Sequence, residues 1–316
     1  MKTWIKKNKV TFILIIIALA GFSLIAYPSF ANWWNSSRSS RAVSAYAEAM
    51  AEMDPEEVDR WIASALEYNA RLAESGMRWT MSDAQFEEYM SELDAMGTGM
   101  MGYIDIMKIR VTLPVYHTVE ESVLQNATGH ITSSSLPVGG PSSHCVLSSH
   151  RGLPSARLFT DLDKLVEGDT FTLTVFDRVF KYEIDQIRVV EPNDVSDLYI
   201  EPGMDYCTLV TCTPYGVNTQ RLLLRAHRVE NDPDVISVVA DALLLEPVYT
   251  APFIAIPMIA ILLVLLAIVT RRQSRFTESE LEQMLPARIK RGVKKAFFST
   301  VERILKLLEG RAGKKK

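Results

Sequence analysis

Three residues have the types and placements needed for acyl transfer: Cys212, His150 and Arg221. Cys212 closes the run Thr208-Leu-Val-Thr-Cys212 and opens a loop that carries Pro214, Gly216 and Asn218. His150 follows Ser148-Ser149 and precedes Arg151-Gly152-Leu153-Pro154, so it too stands where an expected strand gives way to a loop. Arg221 begins the next strand, and Arg225, four residues on, would share its face. A thiol can attack an amide carbonyl, an imidazole can pass protons to and from amines, and a fixed guanidinium can stabilise an oxyanion. One arginine would meet substrate while the other makes a surface pair.

The remaining candidates read as structural. Of the three cysteines, Cys145 and Cys207 lie in apolar runs where cysteine behaves as a small buried hydrophobe. An odd count leaves at least one thiol free outside the cytoplasm. His117, His130, His144 and His227 sit singly in strands or turns, a pattern that more often satisfies a local hydrogen bond than performs chemistry. Ser142, Ser143, Ser148 and Ser149 lie outside any GxSxG elbow. His144, Cys145 and His150 have strand spacing unsuited to a zinc knuckle, and HExxH, CxxC and phosphate-loop patterns are absent from the sequence. No metal or organic cofactor is implied.

The elements that must position these residues lie between two apolar runs. Four lysines precede Val10, and no charge occurs from Val10 to Ser37. Ser29-Phe30-Ala31 is compatible with signal cleavage, but the aliphatic core is longer than the ~7–15 residues of a signal h-region, so an uncleaved anchor over residues 1–37 is expected. Trp33 and Trp34 suit the interface. A second uncharged run, 247–270, ends at Arg271, Arg272 and Arg275. Basic residues before the first run and after the second place both termini in the cytoplasm and the middle outside.

Charge follows the same division. Residues 38–270 carry 16 Lys+Arg against 33 Asp+Glu, and residues 271–316 carry 14 against 5. The acidic middle excludes a nucleic-acid surface. The basic tail, with Phe297, Phe298, Val301, Ile304, Leu305 and Leu308 at helical spacing, fits an anionic inner leaflet.

Residues 38–98 read as a helical extension. Ser36 to Ser44 suggests a linker, and Asp54-Pro55-Glu56-Glu57 resembles a helix start within the pattern from Ala42 to Ser75. A second helix is expected from Ser82 to about Ala95. From 99 to 246, eight short β-branched or aromatic runs separated by turns predict an all-β barrel. They begin near Tyr103, Ile109, Cys145, Thr170, Lys181, Ile187, Cys207 and Arg221.

With these residues in view, the chain resembles a sortase. Thr208-Leu-Val-Thr-Cys212 fits the family's TLxTC signature, and His150 and Arg221 match its histidine and arginine. Leu136-Pro-Val-Gly-Gly140, His150-Arg-Gly-Leu-Pro-Ser155 and Cys212-Thr-Pro-Tyr-Gly-Val-Asn218 look like the pilus-assembling class C group. The match covers roughly residues 99–229. It departs at Gln220, where class C usually has His, and at Ile106-Met107-Lys108-Ile109, where Ile-Pro-Lys-Ile is usual. The Asp-Pro of the usual lid is missing from Gly76-Met-Arg-Trp79-Thr, leaving Trp79 as the lid candidate.

The resemblance implies a mainly β, eight-stranded sortase barrel with an N-terminal helical extension and two flanking transmembrane helices. It also implies a thiol transpeptidase in the cell membrane that cleaves an LPxTG-like signal between Thr and Gly. Cys212 would be the nucleophile, His150 the acid and base, and Arg221 the oxyanion ligand. The acyl group would pass to an amine, for class C a pilin lysine. A housekeeping sortase using a cell-wall precursor and an inactive membrane-tethered scaffold are the alternatives. The resemblance further implies that the strands bearing Cys145 and Cys207 are neighbours; a bridge between adjacent strands strains its geometry, so two buried thiols are expected.

Overall fold

The computed structural model describes residues 9–76 and 80–231. The chain divides into two compact units, Ile16–Val248 and Met1–Ile15 with Tyr249–Lys316. Of the latter, only residues 9–15 are described, as the opening turns of helix α1. The expected second apolar run (247–270) and the basic tail (271–316) lie outside the described residues.

Helix α1 runs from Lys9 to Ala51 without interruption. The linker expected at Ser36–Ser44 is therefore helical. Tertiary bonds override the weak local propensity of that Ser/Arg stretch. Ser39 donates to the Asn126 carbonyl (2.9 Å), and just upstream Asn35 Nδ2 donates to the Ser155 carbonyl (2.9 Å). Residues 10–26, expected as an anchor, form the first half of α1, where Ile16, Ile17 and Leu24 are at least half exposed. Among the described residues, no helix is long and apolar enough to cross a membrane.

Helix α2, Pro55–Ser75, starts where the sequence suggests. Asp54 accepts the Glu56 N–H (3.1 Å) and proline occupies the first turn, where its missing donor costs nothing. Helix α3, Asp83–Ser91, opens with a capping box between Ser82 and Gln85. It stops short of the expected Ala95 because Glu92 leaves the helix: Ser64 donates to its Oε1 (2.9 Å) and its carbonyl accepts from His117 Nε2 (2.8 Å).

The eight strands close into one barrel in the order β1-β2-β3-β4-β7-β8-β6-β5. They are β1 Met100–Ile106, β2 Val111–His117, β3 Thr128–His130, β4 Ser143–Ser148, β5 Thr170–Val175, β6 Arg178–Val190, β7 Asp205–Thr213 and β8 Gln220–Val229. The expected count is right, but one assignment is not. The runs at Lys181 and Ile187 are a single strand, β6, whose register shifts between Ile184 and Gln186. The polar residues at that bulge read as a break in sequence. The strand left unpredicted is β3, three residues with no apolar pattern. Closure also needs Gly102, since a Cβ there would lie 2.2 Å from the Thr174 carbonyl oxygen.

Alternation sorts the strands' side chains. Cys145, Leu147, Cys207, Leu209, Leu222 and Leu224 point into the barrel core. A second core joins the helices to the barrel. There Tyr46 donates to the Met101 carbonyl and accepts from the Phe176 N–H, both at 2.9 Å. Burial pushes the Tyr46 hydroxyl well above its ordinary pKa. From α2, Asn69 accepts from Leu136 N–H (2.7 Å) and donates to the Leu136 carbonyl (3.1 Å), pinning the Leu136–Gly140 loop.

Candidate functional site

Val146, Val210 and Leu223 form a small cluster on the outer face of β4, β7 and β8, covered by Leu198. Period-two alternation carries that face to the ends of the same strands. Cys212 lies two residues beyond Val210, and Arg221 two before Leu223. In the antiparallel β7–β8 ladder, Cys212 pairs directly with Arg221.

Strand β4 runs parallel to β7, with Ser148 opposite Val210. Bonds past the ladder keep this register. Ser149 N–H donates to the Val210 carbonyl (3.2 Å), and Thr211 Oγ1 donates to the Ser149 carbonyl (2.8 Å). The same offset brings His150 level with Cys212. Residues distant in sequence thus form one row: His150 in the loop just past β4, Cys212 on β7 and Arg221 on β8.

Their surroundings differ. Cys212 is a partly exposed free thiol, whereas Cys145 and Cys207 are buried free thiols. Burial, and then the adjacent Cys145 thiol, holds the Cys207 thiol well above its ordinary pKa. His150 Nε2 lies 3.2 Å from Glu121 Oε2, a residue of the short helix α4, Glu121–Leu124. That bond draws the exposed Glu121 carboxyl below its usual range. Arg221 donates through one terminal nitrogen to the carbonyls of Gln220 (3.1 Å) and Asn218 (3.4 Å). Arg225 is engaged instead by Asp185 (3.0 and 3.3 Å) and lies over the Tyr206 ring at 4.4 Å. Of the two arginines on this face, Arg221 is the one beside the thiol and held only by backbone carbonyls among the described residues.

The other histidines are satisfied locally. His144 Nδ1 lies 2.9 Å from the Tyr199 carbonyl, and Nε2 lies 2.7 Å from Thr208 Oγ1. A neutral ring donating at Nδ1 and accepting the threonine proton meets both contacts. His130, expected in a loop, is in β3 between Tyr89 Oη (3.0 Å) and the Ser135 carbonyl (2.8 Å). His117 ends β2, facing the carbonyls of Gly99 and Glu92. His227 approaches Asp185 at 3.7 Å. Gln220, at the family's usual His position, donates to Glu191 (3.1 Å). Trp79 lies outside the described residues. Among those residues, no group of His, Cys, Asp or Glu is arranged to hold a metal ion.

Sequence reasoning missed Glu121 and Tyr215. Glu121 reaches His150 from the β2–β3 connection, with no sequence pattern to announce it. Exposed Tyr215, after the cis Thr213–Pro214 bond, lies against Gly152 across the mouth of the row. Gly152 has φ +77°, and a Cβ there would meet the ring at 3.2 Å.

This geometry can be set against known proteins. A family model described as "Sortase domain" matches residues 104–229. The crystal structure of sortase C1 from Streptococcus agalactiae is 52% identical, with a TM-score of 0.60, over 61% of this chain and 100% of that one. The chain belongs to the sortase family. A structure of Streptococcus pneumoniae sortase C that addresses catalysis and pilin substrate specificity is 38% identical, with a TM-score of 0.55, over 60% of this chain and 97% of that one. Sortase D of Bacillus subtilis (strain 168) is 28% identical over 131 residues, 40% of this chain. The match spans 63% of that curated relative's length. Both of these solved neighbours are sortases C, as the His-Arg-Gly-Leu-Pro-Ser and Cys-Thr-Pro-Tyr-Gly motifs suggest. A lid mutant of Corynebacterium diphtheriae sortase A is also similar, at 37% identity and a TM-score of 0.55 over 58% of this chain and 98% of that one.

Proposed function

We propose that this sortase is a cysteine transpeptidase that cleaves an LPxTG-like signal between Thr and Gly and transfers the acyl group to a pilin lysine. The observation that carries the reading is the single row of His150, Cys212 and Arg221 on the outer face of β4, β7 and β8. All three side chains are partly exposed at this end of the strands, where a peptide can reach them, beyond the buried cluster of Val146, Val210 and Leu223. Likeness to class C sortases supports pilin as donor and acceptor.

The Cys212 thiolate attacks the threonine carbonyl, and Arg221 turns from its loop carbonyls to the developing oxyanion. The tetrahedral adduct collapses to a thioester as the glycine amine leaves with a proton from His150. Neutral His150 then takes a proton from the incoming lysine amine, and attack on the thioester releases Cys212. Glu121 stabilises the imidazolium that exists before the first transfer and is restored by the second. The chain's residues supply every proton transfer, and no metal or organic cofactor is required. In this reading the catalytic unit is outside the cell, tethered at 1–37 and 247–270, with both termini in the cytoplasm.

The test uses the full chain in detergent with a fluorogenic LPxTG peptide and an added lysine-bearing pilin domain. The expected result is a Cys212 thioester that hydrolyses alone and is captured by the pilin lysine. Capture only by a cell-wall precursor amine identifies the housekeeping alternative. Absence of any thioester supports the inactive scaffold.

A further inference from the structure

Arg151 follows His150 in sequence, yet it is one of the few charged side chains withdrawn from solvent, with 8% exposure. Its guanidinium donates in three directions. Nε reaches the Thr160 carbonyl at 3.2 Å, one terminal nitrogen reaches Thr213 Oγ1 at 3.1 Å, and the other pairs with Asp163. Thr160 Oγ1 accepts from the Gly152 N–H at 3.2 Å, closing the loop on itself. The same guanidinium lies 6.0 Å from the centre of the Tyr215 ring.

These contacts join the neighbour of His150 to the neighbour of Cys212. Strand β4 has ended at Ser148, and beyond the Ser149 N–H bond to the Val210 carbonyl the backbone at His150 is held by the Phe159 N–H (3.1 Å), within its own loop and not by β7. A buried cation must be paired, and a planar fork with several donors fixes direction as well as distance. Asp163 and the Thr160 carbonyl anchor the fork in the 150–163 loop, leaving one nitrogen to reach across to Thr213 on β7.

We infer that Arg151 is a positioning residue that holds His150 at its working distance from Cys212 through the bond to Thr213. The inference rests on the roles proposed for His150 and Cys212. Arg151 itself meets no reacting atom.

Two substitutions test the bridge in the full chain. Arg151→Met removes the fork. Thr213→Val keeps the shape of the side chain and removes only the acceptor on β7, leaving Asp163 and Thr160 to hold Arg151. Each should lower kcat for peptide cleavage roughly ten- to a hundredfold, the range for small misplacements of reacting groups. KM should stay within about twofold, since peptide contacts are not removed. The double variant should be no slower than Arg151→Met, because both changes cut one interaction.

The pH profile of Cys212 alkylation should shift in both variants toward that of His150→Ala, a change that a merely stabilising residue would not produce. Unaltered kcat and alkylation profile with a lowered Tm would overturn the inference, as would kcat losses that multiply in the double variant. If Arg151→Met does not fold, Thr213→Val decides alone. Cys212→Ala and His150→Ala serve as controls. If they remain active, the site itself is misassigned; if they are dead while Thr213→Val keeps full kcat, only the Arg151 bridge fails.

Discussion

Cys145 is paired directly with Cys207 across the parallel β4–β7 ladder, and the same offset, carried past the end of β4 by the Ser149 N–H bond to the Val210 carbonyl, sets His150 level with Cys212. One thiol–thiol pair inside the barrel and one thiol–imidazole pair at its edge are thus two readings of a single register. The inner pair faces the core and the outer pair the surface, because an odd step along a strand changes face.

Cysteine substitutions should separate these two pairs. Cys212→Ala is expected to abolish thioester formation and turnover. Cys145→Ala and Cys207→Ala leave small voids in the core and should each cost about 1–2 kcal/mol of stability, while the folded fraction keeps its activity. Thioester trapping by mass spectrometry with urea unfolding measures both effects; turnover by Cys212→Ala would show that the nucleophile lies elsewhere.

The two arginines of β8 should behave differently. Arg221→Lys is expected to lose most activity with little change in stability, since an ammonium cannot reproduce a planar fork. Arg225→Ala should instead cost roughly 1 kcal/mol by removing the Asp185 pair and the stacking on Tyr206, with turnover largely retained. Steady-state kinetics beside thermal melts distinguish them, and greater kinetic damage at Arg225 would reverse the assignment.

Acid should weaken the fold through His144. Its pKa is lowered first by burial, so the unfolded chain takes up a proton at higher pH than the folded chain does. With more protons on the unfolded state, stability falls as pH drops below ~6.5, by at most about 1.4 kcal/mol per pH unit for one such group. His144→Asn, which keeps a donor for the Tyr199 carbonyl, should flatten the loss between pH 7 and pH 5. An identical slope in wild type and variant would mean that His144 is not the group responsible.

The loop contact at the mouth offers a steric test. Gly152→Ala places a Cβ at φ +77° against Tyr215, and the backbone strain alone costs about 1 kcal/mol. The expected result is slower cleavage, because the displaced segment adjoins His150. Tyr215→Ala in the same chain should recover part of the rate by removing the clash but not the strain. No change in kcat/KM for Gly152→Ala would mean that the loop accommodates the methyl group.

Much of this protein was legible in local sequence. Asp54-Pro55 announced α2 and Ser82-Asp83 the start of α3, because caps satisfy orphaned backbone donors through residues only a few places away. Seven of the eight strands and the edge positions of Cys212 and His150 followed from apolar runs and the loop residues beside them. Local pattern could not reveal what depends on distant partners. The helical Ser36–Ser44 segment is flanked and held by Asn35 and Ser39 bonding to Ser155 and Asn126; three-residue β3 exists only between β2 and β4; and the expected break in β6 is a bulge whose Asp185 holds Arg225. The row itself is a matter of register, set by hydrogen bonds between strands far apart in the chain. Sequence chose the chemical groups, while the closed barrel decided that His150 and Arg221 should flank Cys212, that Glu121 should meet His150, and that Arg151 should be buried between two loops. Those contacts arise from packing whole strands and loops against one another, a constraint absent from any short run of residues.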